Sequence, residues 1–332
     1  MDKLRLLSLF SGIGAFEMAL RNIEIDYELV NFCENDKYAI KAYCAIHGVD
    51  ENLNLGDITK VSIENLPKDI DLITHGSPCQ DFSVAGLQHG GDEGSETRSS
   101  LMWNTVEIVK HCQPKYVIWE NVKNVLSKKH KHNFDKYLKT LELLGYTNYW
   151  KVLNAKDYGI PQNRERVFVI SILGEHKPYE FPKPIKLEKR LKDILEIEID
   201  DKYYLSEKVQ KRFKQTKSDN GENSIIGTTA PEFRTIGQRD LVYSKEGIMG
   251  TLVATDYKQP KQILETIQGD TSIRKLTPRE CFRLMGLNDE DIDKIQMTKI
   301  SDTQQYKLAG NSIVVPVLEE IFKNLFLKSV TN

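Results

Sequence analysis

Ile70-Asp71-Leu72-Ile73-Thr74-His75-Gly76-Ser77-Pro78-Cys79-Gln80-Asp81-Phe82-Ser83 holds a short apolar run that stops at a Pro-Cys pair. The run reads as a strand buried on both faces, as parallel strands of α/β sheets do. Open α/β sheets bind ligands just past the carboxyl ends of their strands, so Cys79 stands where chemistry is done. Pro78 restricts the backbone there. On this stretch alone the competing reading is a cysteine packed at a turn as a small hydrophobe. From Asp81 to Ser100 the chain is polar and carries Gly86, Gly90, Gly91 and Gly94. A loop of about 20 residues inside a compact domain is uncommon and usually functional, and its glycines suit a lid.

Working outward, Leu4 to Phe10 reads as another buried strand, followed by Ser11-Gly12-Ile13-Gly14-Ala15-Phe16-Glu17 entering a helix. Such a turn lets backbone approach a ligand at a helix N-terminus. The position that a pyrophosphate fingerprint gives to Gly or Ala is Glu17, and an acidic group there would repel a diphosphate. A nucleoside-type ligand without phosphates fits better, S-adenosylmethionine being one; a plain strand–turn–helix is the alternative. A second strand, Tyr27 to Cys33, ends at Glu34, about 20 residues past the Gly turn, where a carboxylate holds ribose hydroxyls. Asp36 caps a helix that Gly48 stops. Asp57 reads equally as an acceptor for an adenine amino group or as an ordinary turn residue. Pro114 to Trp119 is a fourth strand that ends at Glu120-Asn121-Val122, on the same edge as Cys79. Arg164 and Arg166 share a face if their segment is extended, and two such arginines clamp a phosphate or a polarised carbonyl. The basic run Lys128 to His132 reads as a solvated surface.

The remaining features bound the class. The 332 residues are 40% apolar, with a net charge of −2, which gives no global signature of a nucleic-acid binder. No apolar run reaches the ~18 residues of a membrane span. The five scattered cysteines suggest neither a zinc site nor a disulfide framework, so a reducing, cytoplasmic setting is expected. Pro178, Pro182 and Pro184 punctuate a linker into a mixed region that runs to about Asp270 and reads as an inserted recognition domain; Arg234 and Arg239 are among its basic residues. Thr277-Pro278-Arg279-Glu280 is a capping box, and Gly310-Asn311-Ser312 reads as a tight turn and N-cap, or as groups presented to a ligand, ahead of a closing helix.

In order along the chain, Phe10-Ser11-Gly12-Ile13-Gly14, Pro78-Cys79-Gln80 with Phe82-Ser83, Glu120-Asn121-Val122, Gln162-Asn163-Arg164-Glu165-Arg166, Arg274 to Glu280 and Gly310-Asn311-Ser312 resemble the motifs of the DNA (cytosine-5)-methyltransferases, especially the bacterial and phage modification enzymes. The resemblance covers about residues 4–175 and 272–327; Thr251-Leu252 looks like the family's mark in the variable domain between. It implies an α/β, Rossmann-like S-adenosylmethionine-dependent methyltransferase fold, its mixed, mostly parallel sheet flanked by helices on both faces, plus a smaller target-recognition domain. The expected division is 1–177 catalytic, 178–271 target recognition, 272–304 hinge, and 305–332 returning to the catalytic domain. Cys79 would add to carbon 6 of cytosine, Glu120 would assist at ring nitrogen 3, and Arg166, with Arg164, would face the carbonyl oxygen or a flanking phosphate. The cofactor pocket is expected from Phe10, Gly12, Gly14, Glu34, Asp57, Ile58, Pro78, Leu101, Asn311 and Ser312, with no metal. DNA contacts are expected from Gln80, Ser83, Gln88, Arg98, Arg234, Arg239 and Thr251. The implied partner is double-stranded DNA bound by a monomer with one base flipped out. The resemblance implies either the modification enzyme of a restriction–modification system, with a cognate restriction endonuclease acting on the same site, or a solitary or phage methyltransferase with none. A transfer-RNA cytosine methyltransferase and a catalytically silent DNA-binding regulator remain alternatives; a nicotinamide oxidoreductase is disfavoured by Glu17.

Overall fold

The structure, a computed structural model, describes residues 3–77, 101–215, 225–233, 235–267 and 270–327. The chain divides into two compact units. The first comprises Met1–Leu153, Glu165–Lys183 and Val317–Asn332, and the second Asn154–Arg164 and Pro184–Pro316.

In chain order the strands begin with β1 (Leu4–Leu9), β2 (Tyr27–Cys33), β3 (Leu72–His75), β4 (Tyr116–Val122), β5 (Tyr146–Asn154), the two-residue β6 (Gln162–Asn163) and β7 (Glu165–Leu173). All but β6 form one six-stranded sheet in the order β2-β1-β3-β4-β7-β5. β2, β1, β3 and β4 run parallel, and β7 runs antiparallel to β4, with Glu120 opposite Phe168 and Val122 opposite Arg166. β1, β3 and β4 are largely apolar on both faces because both faces are covered, whereas β2, at the end of the sheet order, carries Glu28 and Asn31 and is mostly half-buried. Leu7, Leu9, Ile73, Val117 and Trp119 pack with Met102, Val106, Val109, Phe134, Tyr137 and Leu141 of the helices α3 (Met102–Cys112) and α4 (Lys131–Leu143). Leu6, Leu72 and Ile118 alternate with them and are equally buried. Helix α1 (Ala15–Asn22) and the terminal helix Val315–Phe322 meet through Phe16 and Phe322, 6.4 Å apart, and Phe326 packs edge-on against Tyr116 at 5.2 Å. Helix α2 (Lys37–His47) starts where Asp36 accepts the amides of Tyr38 and Ala39, and it stops at Gly48 in the left-handed region.

The second unit contains β8 (Lys214–Gln215), β9 (Ile225–Thr228), β10 (Leu241–Ser244), β11 (Met249–Gly250), β12 (Gln262–Ile267) and β13 (Asp270–Lys275). Five of them form a sheet ordered β13-β12-β10-β9-β8, while β11 pairs with β6. That pairing, with Met249 beside Gln162 and Gly250 beside Asn163, draws residues 154–164 into this unit, whereas the sequence reading kept them with the first domain. The helices are α5 (Glu207–Gln210), α6 (Pro278–Arg283), α7 (Asp289–Met297) and α8 (Asp302–Asn311), and α9 is the Val315–Phe322 helix. The stretch 272–304, expected as a hinge, packs within this unit. Thr277 and Glu280 close the reciprocal capping box, and Glu280 also binds the fully buried Arg274, which Glu265 holds from the other side. Gly310-Asn311-Ser312 is not a tight turn ahead of a helix; it closes α8. No helix among the described residues is long and apolar enough to cross a membrane.

Candidate active site

Beyond β1 the backbone turns sharply. Phe10 takes a φ of 51°, rare for a residue with a side chain, and Gly12 and Gly14 follow at 56° and 81°. At Gly14 a side chain is excluded twice, by the backbone angle and because a Cβ would lie 2.0 Å from Nε2 of His47. That His47 ring, in the last turn of α2, reaches the Ile13 carbonyl at 3.2 Å. On the other side the Gly12 amide donates to Glu34 Oε2 at 2.9 Å, and Glu34 Oε1 accepts the amides of Asn35 and Asp36. The turn is therefore held from α2 and from the end of β2 together. His47 carries no sequence signal for this role, since a lone His before a helix-stopping Gly is commonplace.

Glu17 corrects one inference. It is fully buried and turned into the protein: Oε1 accepts from the Tyr43 hydroxyl at 2.8 Å, and burial outweighs the Ser8 and Tyr43 hydroxyls to hold its carboxyl above the usual range. It does not face a ligand, so it does not repel a diphosphate there. The Gly12 amide, which a phosphate would need, is instead occupied by Glu34. Burial raises the Glu34 carboxyl too, against the pull of the amides it accepts. Asp57 caps the short 3₁₀ turn Ile58–Lys60, its Oδ1 accepting the amide and hydroxyl of Thr59, which lower its pKa; Oδ2 lies 3.9 Å from Lys60. Ile58 is buried, and Phe10 and Leu101 pack at the margin of the same core. Two carboxylates and apolar walls suit ribose hydroxyls, an adenine amino group and a sulfonium charge, and repel phosphate. The residues present fit S-adenosylmethionine. Among the described residues no group of three or more His, Cys, Asp or Glu is arranged to hold a metal ion.

At the carboxyl edge of β4, Glu120 is 8% exposed and its Oε1 lies 3.1 Å from Nε of Arg166 on β7. Beside it, Lys123 pairs with Glu165 at 2.9 Å. On the alternate residues of β4, Trp119 Nε1 donates to Ser77 Oγ at 3.0 Å, and Asn121 Nδ2 donates to the Ser77 carbonyl at 3.4 Å. Ser77, the last described residue before Pro78-Cys79, is thereby fixed to the strand that carries Glu120. Sequence reading gave neither Ser77 nor Trp119 a role at the site, because the bond between them joins β4 to the segment just past β3 and leaves no mark in either stretch. Pro78, Cys79, Gln80, Ser83, Gln88, Arg98 and Arg234 lie outside the described residues.

Arg164 departs from expectation. It interrupts the strand pattern between β6 and β7, so the alternation that would align it with Arg166 does not apply. It is 3% exposed, and its guanidinium donates to the carbonyls of Leu252 at 2.6 Å, Gly310 at 3.1 Å and Ser312 at 2.7 Å. It is a clamp on the backbone of the second unit rather than half of a substrate clamp. Asn311 is exposed at the end of α8; Ser312 is buried. The Thr251 hydroxyl donates to the Asn163 carbonyl at 2.7 Å, and Gln162 links the Leu252 amide to the Leu284 carbonyl. Arg239 is half-buried in the 3₁₀ turn Gln238–Asp240, ahead of β10.

Comparison with known proteins bears on what this site serves. Residues 4–327 match the family described as C-5 cytosine-specific DNA methylase. The chain is 44% identical over 279 residues to the type II methyltransferase M2.ScrFI of Lactococcus lactis subsp. cremoris, covering 83% of this chain and 71% of that one. It is 34% identical to the orphan methyltransferase M.SPRI of Bacillus phage SPR, covering 98% of each. Among solved structures it resembles the S. pombe Dnmt2 methyltransferase with a TM-score of 0.74 at 22% identity, covering 99% of this chain and all of that one, a likeness of fold. With a match spanning both units and a site of the right chemistry, the chain belongs to the C-5 cytosine-specific DNA methylases and is a DNA cytosine methyltransferase.

Proposed function

We propose that Cys79 is the nucleophile and that Glu120 and Arg166 hold the cytosine it attacks. Carbon 5 of cytosine is a poor nucleophile. Addition of the Cys79 thiolate at carbon 6 forms a C–S bond and pushes the ring electrons to carbon 5. S-adenosylmethionine, when bound, supplies the electrophilic methyl. Glu120, as the acid, bonds ring nitrogen 3 and relieves the charge that builds there, worth typically ~10²–10⁴ in rate. Arg166 orients that carboxyl and faces the carbonyl oxygen. Loss of the carbon-5 proton then expels the Cys79 thiolate and restores the aromatic ring. The target base must leave the duplex to be reached, at a cost of about a few kcal/mol. Phe10, Gly12, Gly14, Glu34, Asp57, Ile58 and Leu101 are the cofactor residues we assign in the first unit.

The observation that carries the reading is the 3.1 Å Glu120–Arg166 pair at the sheet edge, beside a strand-anchored Ser77 two residues before Cys79. For the biological role we propose site-specific modification of cellular DNA, either beside a cognate restriction endonuclease reading the same site, which the type II relative supports, or as a solitary enzyme, which the phage orphan relative supports. A base-resolution map of 5-methylcytosine in DNA from cells expressing the chain, beside a Cys79→Ala control, tests both parts. Methylation confined to one short sequence and absent from the control is expected, with cofactor binding by Cys79→Ala unchanged. Methylation that survives the substitution would overturn the covalent route. Glu120→Gln is expected to slow turnover about 10²-fold or more.

A further inference from the structure

We propose that Lys128 and Lys129 form a phosphate-contacting ridge for DNA at the edge of the sheet that carries Glu120, a proposal that rests on duplex DNA being the substrate. The chain leaves the carboxyl end of β4 through a 3₁₀ turn, Lys123–Leu126, and enters α4 at Lys131. Lys128 and Lys129 lie between, so the topology fixes them on the edge where the target base is handled and not on the opposite one. At ~2 Å rise per residue the four-residue turn spans about 8 Å, so the two lysines that follow it stand within a few nucleotides' length of the strand end.

The charge pattern of the segment separates these two lysines from their neighbours. Lys123 is neutralised by Glu165 at 2.9 Å and Lys131 by Asp135 at 2.6 Å. Lys136 lies over the Trp103 ring, 4.8 Å from its centre. Lys128 and Lys129 are both exposed, and neither has a carboxylate partner among the described residues. The first turn of α4 carries no acidic residue. Exposed cations left unpaired at a catalytic edge, in a chain whose net charge is −2, give the local positive charge that a polyanion requires and the overall composition lacks.

The test is the salt dependence of binding to a fluorescent duplex of mixed sequence, between about 50 and 200 mM salt. Each phosphate contact contributes about 0.9 to the slope of log affinity against log salt, so Lys128→Ala/Lys129→Ala should flatten the slope by about 1.8. Lys128→Arg/Lys129→Arg should keep the wild-type slope, and S-adenosylmethionine binding and turnover at saturating DNA should stay unchanged in both. Lys110→Ala, in the last turn of α3 and so at the other end of β4, serves as the control and should match wild type. A wild-type slope in the double-alanine variant, or an equal loss in Lys110→Ala, would overturn the proposal. A wild-type protein whose duplex binding ignores salt would overturn the proposal together with the reading of duplex DNA as substrate.

Discussion

Arg164 and Arg166 stand two residues apart and do different work. Arg166 pairs with a single carboxylate near the surface of the sheet edge, whereas Arg164 is buried and satisfies three carbonyls. Lysine keeps the charge of either but lacks the planar fork that reaches several acceptors at once. Arg164→Lys should therefore lower stability in urea unfolding by about 2–4 kcal/mol, while Arg166→Lys should leave stability near wild type and lower turnover. Equal stability losses in the two would refute this division. Both arginines were legible in the sequence as a motif. Their separation was not, because it depends on a strand break that residue spacing does not reveal. His75 sets a second residue-scale expectation. It is fully buried beside Trp119, its Nε2 is 2.9 Å from the Tyr137 hydroxyl, and burial pushes its pKa down to about 3. The unfolded chain binds this proton below about pH 6.5 while the folded chain refuses it. The stability due to neutral His75 is thus complete above that pH and lost as the pH falls toward 3, by about 1.4 kcal/mol per unit. His75→Gln should flatten the fall in unfolding free energy between pH 6 and 4.

At the scale of elements, the sheet and its helices were readable because the parallel strands are predominantly apolar stretches, interrupted in β2 by Glu28 and Asn31, each ended by a Gly, Glu or Pro-Cys signal. The capping box at Thr277 and the stop at Gly48 were readable for the same local reason. Helix α8 was not. Gly310 and Asn311 suggest a turn, and the reason for the glycine is tertiary: a Cβ at Gly310 would fall 2.4 Å from the Val253 carbonyl carbon and 2.5 Å from the Ala254 amide. Backbone cannot yield as a side-chain tip does. Gly310→Ala should separate α8 from the 3₁₀ turn Ala254–Lys258, lowering the melting temperature by several degrees, about 2 kcal/mol or more for a forced overpacking of this kind. An unchanged melting temperature would mean that the two backbones are not packed so closely. The Gly-rich cofactor turn shows the same limit on reading. Its glycines were evident, but the two groups that hold it, Glu34 and His47, come from β2's end and α2, and only Glu34 was marked by position.

For the whole molecule, the first unit is assembled from three separate stretches of chain. The last of them contributes Val317, Leu318, Ile321, Phe322 and Phe326, all 2% exposed or less. At about 1.5–3 kcal/mol per buried side chain these five contribute about 8–15 kcal/mol, comparable to the whole stability of a domain. A chain ended after Pro316 should fail to give a cooperative unfolding transition, although every motif of the site remains in it; a truncated protein melting like the full chain would refute this. The cofactor and catalytic edge belong to a sheet that the chain begins at its fourth residue and finishes covering only after Pro316. During synthesis the ribosome delivers the whole second unit before that covering is complete, so the apolar surface that Phe322 and Phe326 close against Phe16 and Tyr116 waits exposed through well over a hundred codons. The enzyme is consequently born late: newly made chains should need chaperone protection while translation proceeds, and no nascent chain can modify DNA before its closing segment has cleared the exit tunnel.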